Sequence, residues 1–388
     1  IYPLRLYLNS ATSTLPGCAV AVVAPASLLE TIVDAIIGGV TAVIDEIVAF
    51  VLPSSPAPVS PVLDSADPAD DVSLPSPSGQ ETSGSVAQPS ALPVPIHQSS
   101  FASVQPIDVS VIGKYAYVLG YTGTLEIIDI TDPITPTLVG SIAHGVGGAV
   151  LEHPNSLFVS RNHAYVTSEE GTLEIINIKD PAHPIHAGKI TDGTGDAILA
   201  YPNSVFVLGQ YAYVTSFTSD ALEIVDISNP ANPVHRGKIV DGQGGAVLDG
   251  PNAVVVSGEY AYITVNGSNA LEIINISDPA NPVYTGSLRH TESNALLQTP
   301  NSIQVKNGYA YISVAGSRAL EIVDISNPAH PVHKGNIADN SGGAVLDYPS
   351  DIAVSGEYAY LSVKGTDNAR EIVDISNPAA PVHKGAVL

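Results

Sequence analysis

Apolar and polar positions fall into three regimes along the chain. Over residues 27–52, SLLETIVDAIIGGVTAVIDEIVAFVL, apolar residues are almost continuous and Pro is absent. Ser27 stands three positions before Glu30, a capping-box pattern that predicts a helix starting there. At about 100° per residue, Glu30, Asp34, Thr41 and Asp45 share one narrow stripe, with apolar side chains over nearly all the rest. A helix of that kind has to be buried. Residues 53–93 lose the pattern: Pro and Ser dominate, interspersed with Asp64, Asp67, Asp70, Asp71 and Glu81, the composition of an extended linker. From residue 94 the pattern becomes short alternating or continuous apolar runs separated by Gly, Asn, Asp and Pro, which reads as β-strands and turns.

The third regime repeats itself six times. Copies begin at Pro106, Pro154, Pro202, Pro251, Pro300 and Pro349, a period of 48 or 49 residues that marks a propeller or solenoid. Four runs occur in each copy; in the third they are Ser204–Leu208, Tyr211–Thr215, Leu222–Ile227 and Val234–Ile239. The first three connections are hairpin-sized, beginning with Gly209-Gln210, and the stretch from Ile239 to Asn252 is the longest. Four antiparallel strands followed by one crossing to the next unit predict an all-β protein, a six-bladed propeller with four-stranded blades. Its predicted extent is 94–388, behind an apolar segment 1–52 and a linker 53–93.

The apolar run ending in Asp or Asn, followed by an Asn/Asp-Pro turn, is LEIID at Leu125–Asp129, LEIIN at Leu173–Asn177, LEIVD at Leu222–Asp226, LEIIN at Leu271–Asn275, LEIVD at Leu320–Asp324 and REIVD at Arg370–Asp374. In this the chain resembles the LVIVD-repeat proteins over about 106–388. The resemblance implies the propeller fold and a tendency toward surface and secreted proteins; it implies no uniform activity.

Composition narrows the functions. Thirty-eight acidic residues against 14 basic give a formal charge of −24, which repels nucleic acid and anionic lipid. The single cysteine, Cys18, excludes an intramolecular disulfide framework and a Cys-based zinc site. No GxSxG, HExxH or phosphate-loop motif nominates an enzyme, and no cofactor or metal site is expected. A residue present in every blade serves the blade. On that logic the Glu of each LEI run, the Tyr-Ala-Tyr strands and the fourth-strand histidines His186, His235, His333 and His383 are read as structural. Asp108 and Asp351 break the Pro-Asn-Ser pattern beside Asn155, Asn203, Asn252 and Asn301, and are expected as solvated residues at one channel mouth. Asp192-Gly193-Thr194-Gly195-Asp196 offers calcium-type oxygens without a full ligand series. Asn266 opens an Asn-Gly-Ser sequon in an exposed hairpin and is the expected glycosylation position; Asn275, in a second sequon, is read as structural.

The 27–52 helix needs a partner. Fourteen Leu, Ile, Val and Phe at roughly −0.5 kcal/mol each do not offset four acids at up to about +2.5 or more, so burial in protein is favoured over a membrane. The expected assembly residues are Leu28, Leu29, Ile32, Val33, Ile36, Ile37, Val40, Val43, Ile44, Ile47, Val48 and Phe50. Pro95–Phe101 aligns with a fourth strand and is one strand in excess, sealing the ring or pairing with a neighbour. The chain opens on Ile1 and contains no Met, as a processed, exported chain would. Together these features point to an extracellular or surface subunit whose partner is itself. The alternative is a cell-surface recognition or adhesion propeller, anchored by its N-terminal segment, that binds a glycan or protein.

Overall fold

A computed structural model describes residues 105–365 and 368–387, with the backbone of Leu4–Arg5. The helix expected over 27–52, its assembly residues Leu28 to Phe50, the linker and Pro95–Phe101 lie outside the described residues.

The described chain forms six antiparallel sheets, each built from strands consecutive in sequence. Blade 1 consists of β2 (Pro106–Ile112), β3 (Tyr115–Gly120), β4 (Thr124–Asp129) and β5 (Thr137–Ala143), and β1 (Leu4–Arg5) adds a fifth strand at its axial edge. The other blades have four strands; in blade 3 they are Pro202–Leu208, Tyr211–Ser216, Ala221–Asp226 and Val234–Val240. Sequence periodicity therefore places these strands to within two residues. β1 lies outside the repeat and has no periodic signal; it pairs with β2 on the axial edge of blade 1.

Each recurring residue has a local job. In the turn between the third and fourth strands, Asp226 Oδ1 accepts the Ser228 amide at 2.9 Å and Asn229 Oδ1 accepts the Ala231 amide at 3.3 Å, so the Asp and Asn side chains supply the turn's hydrogen bonds. The outer strand pair carries a bulge that sets Gly237 opposite Ile224 and His235 opposite Val225. The crossing to the next blade is a tight 3-10 turn at Gln243–Gly245, where Gly242 and Gly244 take φ of 77° and 61°, which glycine adopts without strain. Asp241 Oδ1 then accepts the Leu248 amide at 2.8 Å. The Asp192 loop is the same device, Asp192 Oδ1 holding the Leu199 amide at 2.7 Å, and so serves the crossing.

Packing is face to face between blades. Tyr117, Leu119, Leu125, Ile127 and Ile142 of blade 1 share one core with Leu157, Val159, Ala164, Val166 and Ile176 of blade 2 and with Ala149 and Leu151 of the crossing. The fourth strand is held close through a glycine. A methyl group added at Gly140, Gly188, Gly237, Gly286 or Gly335 would lie 2.3 to 2.5 Å from the carbonyl oxygen of Pro181, Pro230, Pro279, Pro328 or Pro378 of the following blade. The Pro turn of each blade thus docks on the glycine of the blade before it.

The sixth junction, from blade 6 back to blade 1, is different. A methyl group at Gly385 would meet nothing within 4 Å. The leucine that is fully buried as Leu125, Leu173, Leu222, Leu271 and Leu320 is replaced by exposed Arg370, and Tyr360 and Ile372 are half-buried where their counterparts are buried. Facing them, Val109, Ala116, Val118, Ile128 and Ile130 of blade 1 form a separate buried cluster that includes no residue of blade 6. At the axis β1 stands between the blades, paired with β2 and packed against the first strand of blade 6, Pro349–Ser355. Five junctions are filled by the blades themselves, and the sixth meets β1 at its axial end. The cause lies in side chains that one copy does not share, Arg370 for Leu and Ile134 for the Ala of the docking turn.

Candidate functional site

At the axis the asparagines form a ladder. Asn155 donates to the Pro202 carbonyl at 3.1 Å, Asn203 to Asn252 Oδ1 at 3.2 Å, Asn252 to the Asn301 carbonyl at 3.2 Å and Asn301 to the Pro349 carbonyl at 3.1 Å. Each rung bridges adjacent blades, from blade 2 to blade 6. One position further on, Ser156 Oγ and Ser204 Oγ accept the Val205 and Val254 amides of the next blade, both at 3.4 Å. Asp108 does the same, its Oδ2 accepting the Leu157 amide at 2.7 Å, and Asp351 Oδ1 accepts the Ser302 hydroxyl at 2.5 Å. Asp108 is 1% and Asp351 2% exposed, so the expectation of solvated mouth residues is corrected. They lie too deep and too well engaged to be read as a mouth site. Phe158 and Phe206, with ring centroids 4.8 Å apart, pack against each other across blades 2 and 3.

The repeated Glu and His also meet inside blades 2, 3, 5 and 6. Nδ1 of His186, His235, His333 and His383 hydrogen-bonds to Glu174, Glu223, Glu321 and Glu371, at 2.5 Å in the last three pairs. The second oxygen of each carboxylate accepts an amide of the crossing, from Val150, Ile198, Leu296 or Val345, at 3.0 to 3.3 Å. Each pair fastens the crossing to the middle of the blade. Burial pushes all four carboxyls up, Glu223 to about 7, against the favourable hydrogen bond from His and the crossing amide. Blade 4 lacks the histidine: Tyr284 takes its place and bonds Ser287 Oγ at 3.2 Å. Glu272 is fully buried, the Val247 amide and Ser287 hydroxyl stand near without closing a hydrogen bond to either oxygen, and burial pushes its carboxyl up to about 8.

On the end of the ring where crossings and second hairpins lie, exposed aromatic and acidic residues cluster over blades 1 to 3, where Tyr201 alone of the tyrosines has a counterpart before the same Pro, Tyr348 of blade 6. Tyr121 packs on His153 with centroids 6.1 Å apart, and Tyr201 on Phe217 at 6.2 Å. Tyr201 donates its hydroxyl to Glu169 at 2.7 Å, which, with partial burial, pushes the phenol up to about 12. Glu152, His153 and Glu170 bring one ligand atom each within 4.8 Å of one another, all three exposed. The aromatics are 38 to 53% exposed. This surface joins ring faces with carboxylates, a combination suited to stacking on a sugar ring or a cation while accepting its hydrogen bonds. Sequence reading missed it because its members are scattered over about a hundred positions; the signal was copy-to-copy difference at the residues before each Pro-Asn.

Asn266 is half-buried, with Oδ1 enclosed, rather than exposed as expected. Asn275 Oδ1 accepts the Ser277 amide at 3.0 Å and hydroxyl at 2.6 Å, closing the turn that Asp closes in other blades. Among the described residues no helix is long and apolar enough to cross a membrane.

The fold is similar to a functionally unknown protein from Desulfotomaculum acetoxidans, TM-score 0.54 and 13% identity over 71% of this chain and 80% of that one. It is similar to a protein from Lactobacillus plantarum, TM-score 0.59 and 14% identity over 71% and 82%. It is similar also to the periplasmic gluconolactonase of Pseudomonas aeruginosa, TM-score 0.57 and 10% identity over 71% and 82%. At such identities the likeness concerns the fold alone. No curated protein matches the sequence. The LVIVD repeat matches at 106–144, 153–192, 201–241, 252–289, 300–339 and 348–388, one match per blade, and the chain belongs to the LVIVD repeat family.

Proposed function

We propose that the protein is a structural subunit that self-assembles through its apolar N-terminal segment into an extracellular filament, sheath or surface array, displaying the propeller. The observation that carries this reading is that five of the six junctions are already filled by the blades, while the apolar run 27–52 needs a surface to bury on. Five junctions are filled by residues of adjacent blades, and the perimeter consists of edge strands. Burial of Leu28 to Phe50 then falls to other copies. In blades 2 to 6 those perimeter strands begin with exposed Ile185, Val234, Val283, Val332 and Val382, a repeated apolar point suited to lateral contact. The test is the full chain with Ile36→Lys or Val40→Asp, examined by electron microscopy and light scattering. Wild type is expected as large particles and the variants as folded small species; variants that polymerise normally remove 27–52 from the assembly.

A second reading is favoured by the aromatic and acidic surface over blades 1 to 3: a recognition propeller that binds a glycan or a protein. Its test is glycan-array binding of wild type against Tyr201→Ala and Phe217→Ala, both expected to lose binding if this surface is the site.

A further inference from the structure

We infer that the aromatic and acidic surface at the entries to blades 2 and 3 is a binding site for the guanidinium group of an arginine side chain, carried by a segment of a partner protein. The inference rests on the second reading above and narrows its partner from glycan or protein to protein.

The chain shows at another blade what such a surface holds. The residue before the first-strand Pro takes a φ of 42° to 65° at His153, Tyr201, Gly250, Thr299 and Tyr348. That conformation favours glycine, yet three of these five residues present a ring. At the entry to blade 6, Asp347 and Tyr348 hold Arg318 of blade 5. The guanidinium carbon lies 5.4 Å from the centre of the Tyr348 ring, and Nε lies 3.2 Å from Asp347 Oδ1. The same order, acid then ring before Pro, recurs at the entry to blade 2 as Glu152-His153.

At blades 2 and 3 the chain supplies no such cation. Arg318 stands directly before the third strand of its blade, and its carbonyl accepts the Asp339 amide. The counterparts that precede the third strands of blades 1 and 2 are Gly123 and Gly171, whose carbonyls accept the His144 and Asp192 amides. A methyl group added at Gly123 would lie 2.3 Å from the Leu151 carbonyl oxygen, so no side chain fits there. Among the described residues the Lys and Arg ion pairs fall on Asp129, Asp324, Asp347 and Asp374, and none falls on Glu152, Glu169 or Glu170. The neighbour of Glu152 is His144, with Nε2 at 3.8 Å.

These three carboxylates are nevertheless gathered. Glu152 and Glu170 bring oxygens within 4.8 Å of each other and of a His153 ring nitrogen, and adjacent Glu169 accepts the Tyr201 hydroxyl at 2.7 Å. The acids therefore connect the Tyr121–His153 pair of rings to the Tyr201–Phe217 pair. A planar guanidinium stacks on a ring while carboxylates accept its N–H fork, which a compact ammonium does not do. The net charge of −24 draws a basic partner from solution.

The test titrates the full chain, at about 0.15 M salt to screen general attraction, with a fluorescent peptide GRGRG. Parallel titrations carry lysine or neutral citrulline in place of both arginines. Saturable binding of the arginine peptide is expected, about tenfold weaker with either replacement. Tyr201→Leu and Glu170→Gln should each weaken it by a similar factor with the circular dichroism of the propeller unchanged. Equal binding of the arginine and lysine peptides, or no response to both variants, would overturn the site. Arg318→Ala supplies a second measurement, because it uncovers Tyr348 and Asp347 and should add one further equivalent of bound arginine peptide. Unchanged stoichiometry would overturn the equivalence of the blade entries on which the inference stands. Glycan binding lost in Tyr201→Ala, together with no binding of the arginine peptide, would overturn the guanidinium site and leave the recognition reading intact.

Discussion

Junctions one to five and junction six join sheets of nearly the same sequence, yet only the first five use it in the same way. In the five, a glycine on the outer strand accepts the next blade's Pro turn and a leucine in the third strand is fully buried, and at four of them a buried Glu is held by the crossing. In the sixth, Gly385 is unopposed, Arg370 replaces the leucine, and Glu126, the blade 1 counterpart of those carboxylates, is half-buried. A repeat protein distributes its stability over neighbour interfaces, so one dissimilar interface concentrates opening at one place. The lesson is that identical motifs do not make identical interfaces; the residues that differ decide where the ring can open.

The largest effect should come from exchanging the third-strand residue across this divide. Leu320→Arg puts an unpaired charge into a fully buried position and is expected to cost about 3–5 kcal/mol, roughly 6–20 °C in melting temperature. Arg370→Leu restores the residue of the other blades in a junction that does not bury it, and should leave the melting temperature within about 2 °C. Thermal unfolding followed by circular dichroism reads both. Equal effects would mean that junctions five and six are packed alike.

Next in size is the glycine. Gly237→Ala drives a methyl group to 2.3 Å from the Pro279 carbonyl oxygen and should cost about 1–3 kcal/mol as blades 3 and 4 are forced apart. Gly385→Ala should stay within about 0.5 kcal/mol of wild type by denaturant unfolding. A loss at Gly385 matching that at Gly237 would show a sixth turn docked in solution.

Much of this was legible in the sequence, and the limits have physical causes. Six copies, four strands per copy and hairpin connections followed from apolar alternation and from Gly, Asn and Pro at fixed positions, because these act locally. The structural role of Glu174 or His186 was legible from repetition, but their pairing was not, since a bulge in the outer strands and the crossing amide complete the contact. Asp108 and Asp351 were misplaced at a solvated mouth because their hydrogen-bond partners, Leu157 and Ser302, lie about fifty residues away. Pro95–Phe101 lies outside the described residues, and β1 resembles no repeat, so it left no periodic signal.

A smaller contrast lies among the five filled junctions. At blade 4 the buried Glu272 has no histidine, and burial lifts its carboxyl from an ordinary 4.5 to about 8. The folded state therefore holds this proton more tightly than the unfolded state, and its contribution is fully present below about pH 4.5 and lost as pH rises toward 8. Glu174, Glu223, Glu321 and Glu371 shift the same way, so the quantity to read is the difference between wild type and Glu272→Gln. That variant should gain stability relative to wild type between pH 5 and pH 9, by on the order of a few kcal/mol at most. Tyr284→His, which supplies the partner of the other blades, should flatten the same profile. A pH-independent difference would show that Glu272 ionises freely in the folded chain.

The most direct test of the comparison is native-state hydrogen exchange of the full chain, resolved over the six axial strands. The axial strands of blades 2 to 5, Pro154–Ser160, Pro202–Leu208, Pro251–Ser257 and Pro300–Lys306, should exchange together at the highest free energy. Those of blades 1 and 6, Pro106–Ile112 and Pro349–Ser355, should exchange at least tenfold faster through an opening confined to the sixth junction, and faster still when Leu4→Pro and Leu6→Pro displace β1. Six axial strands exchanging alike, with no response to those prolines, would contradict the account.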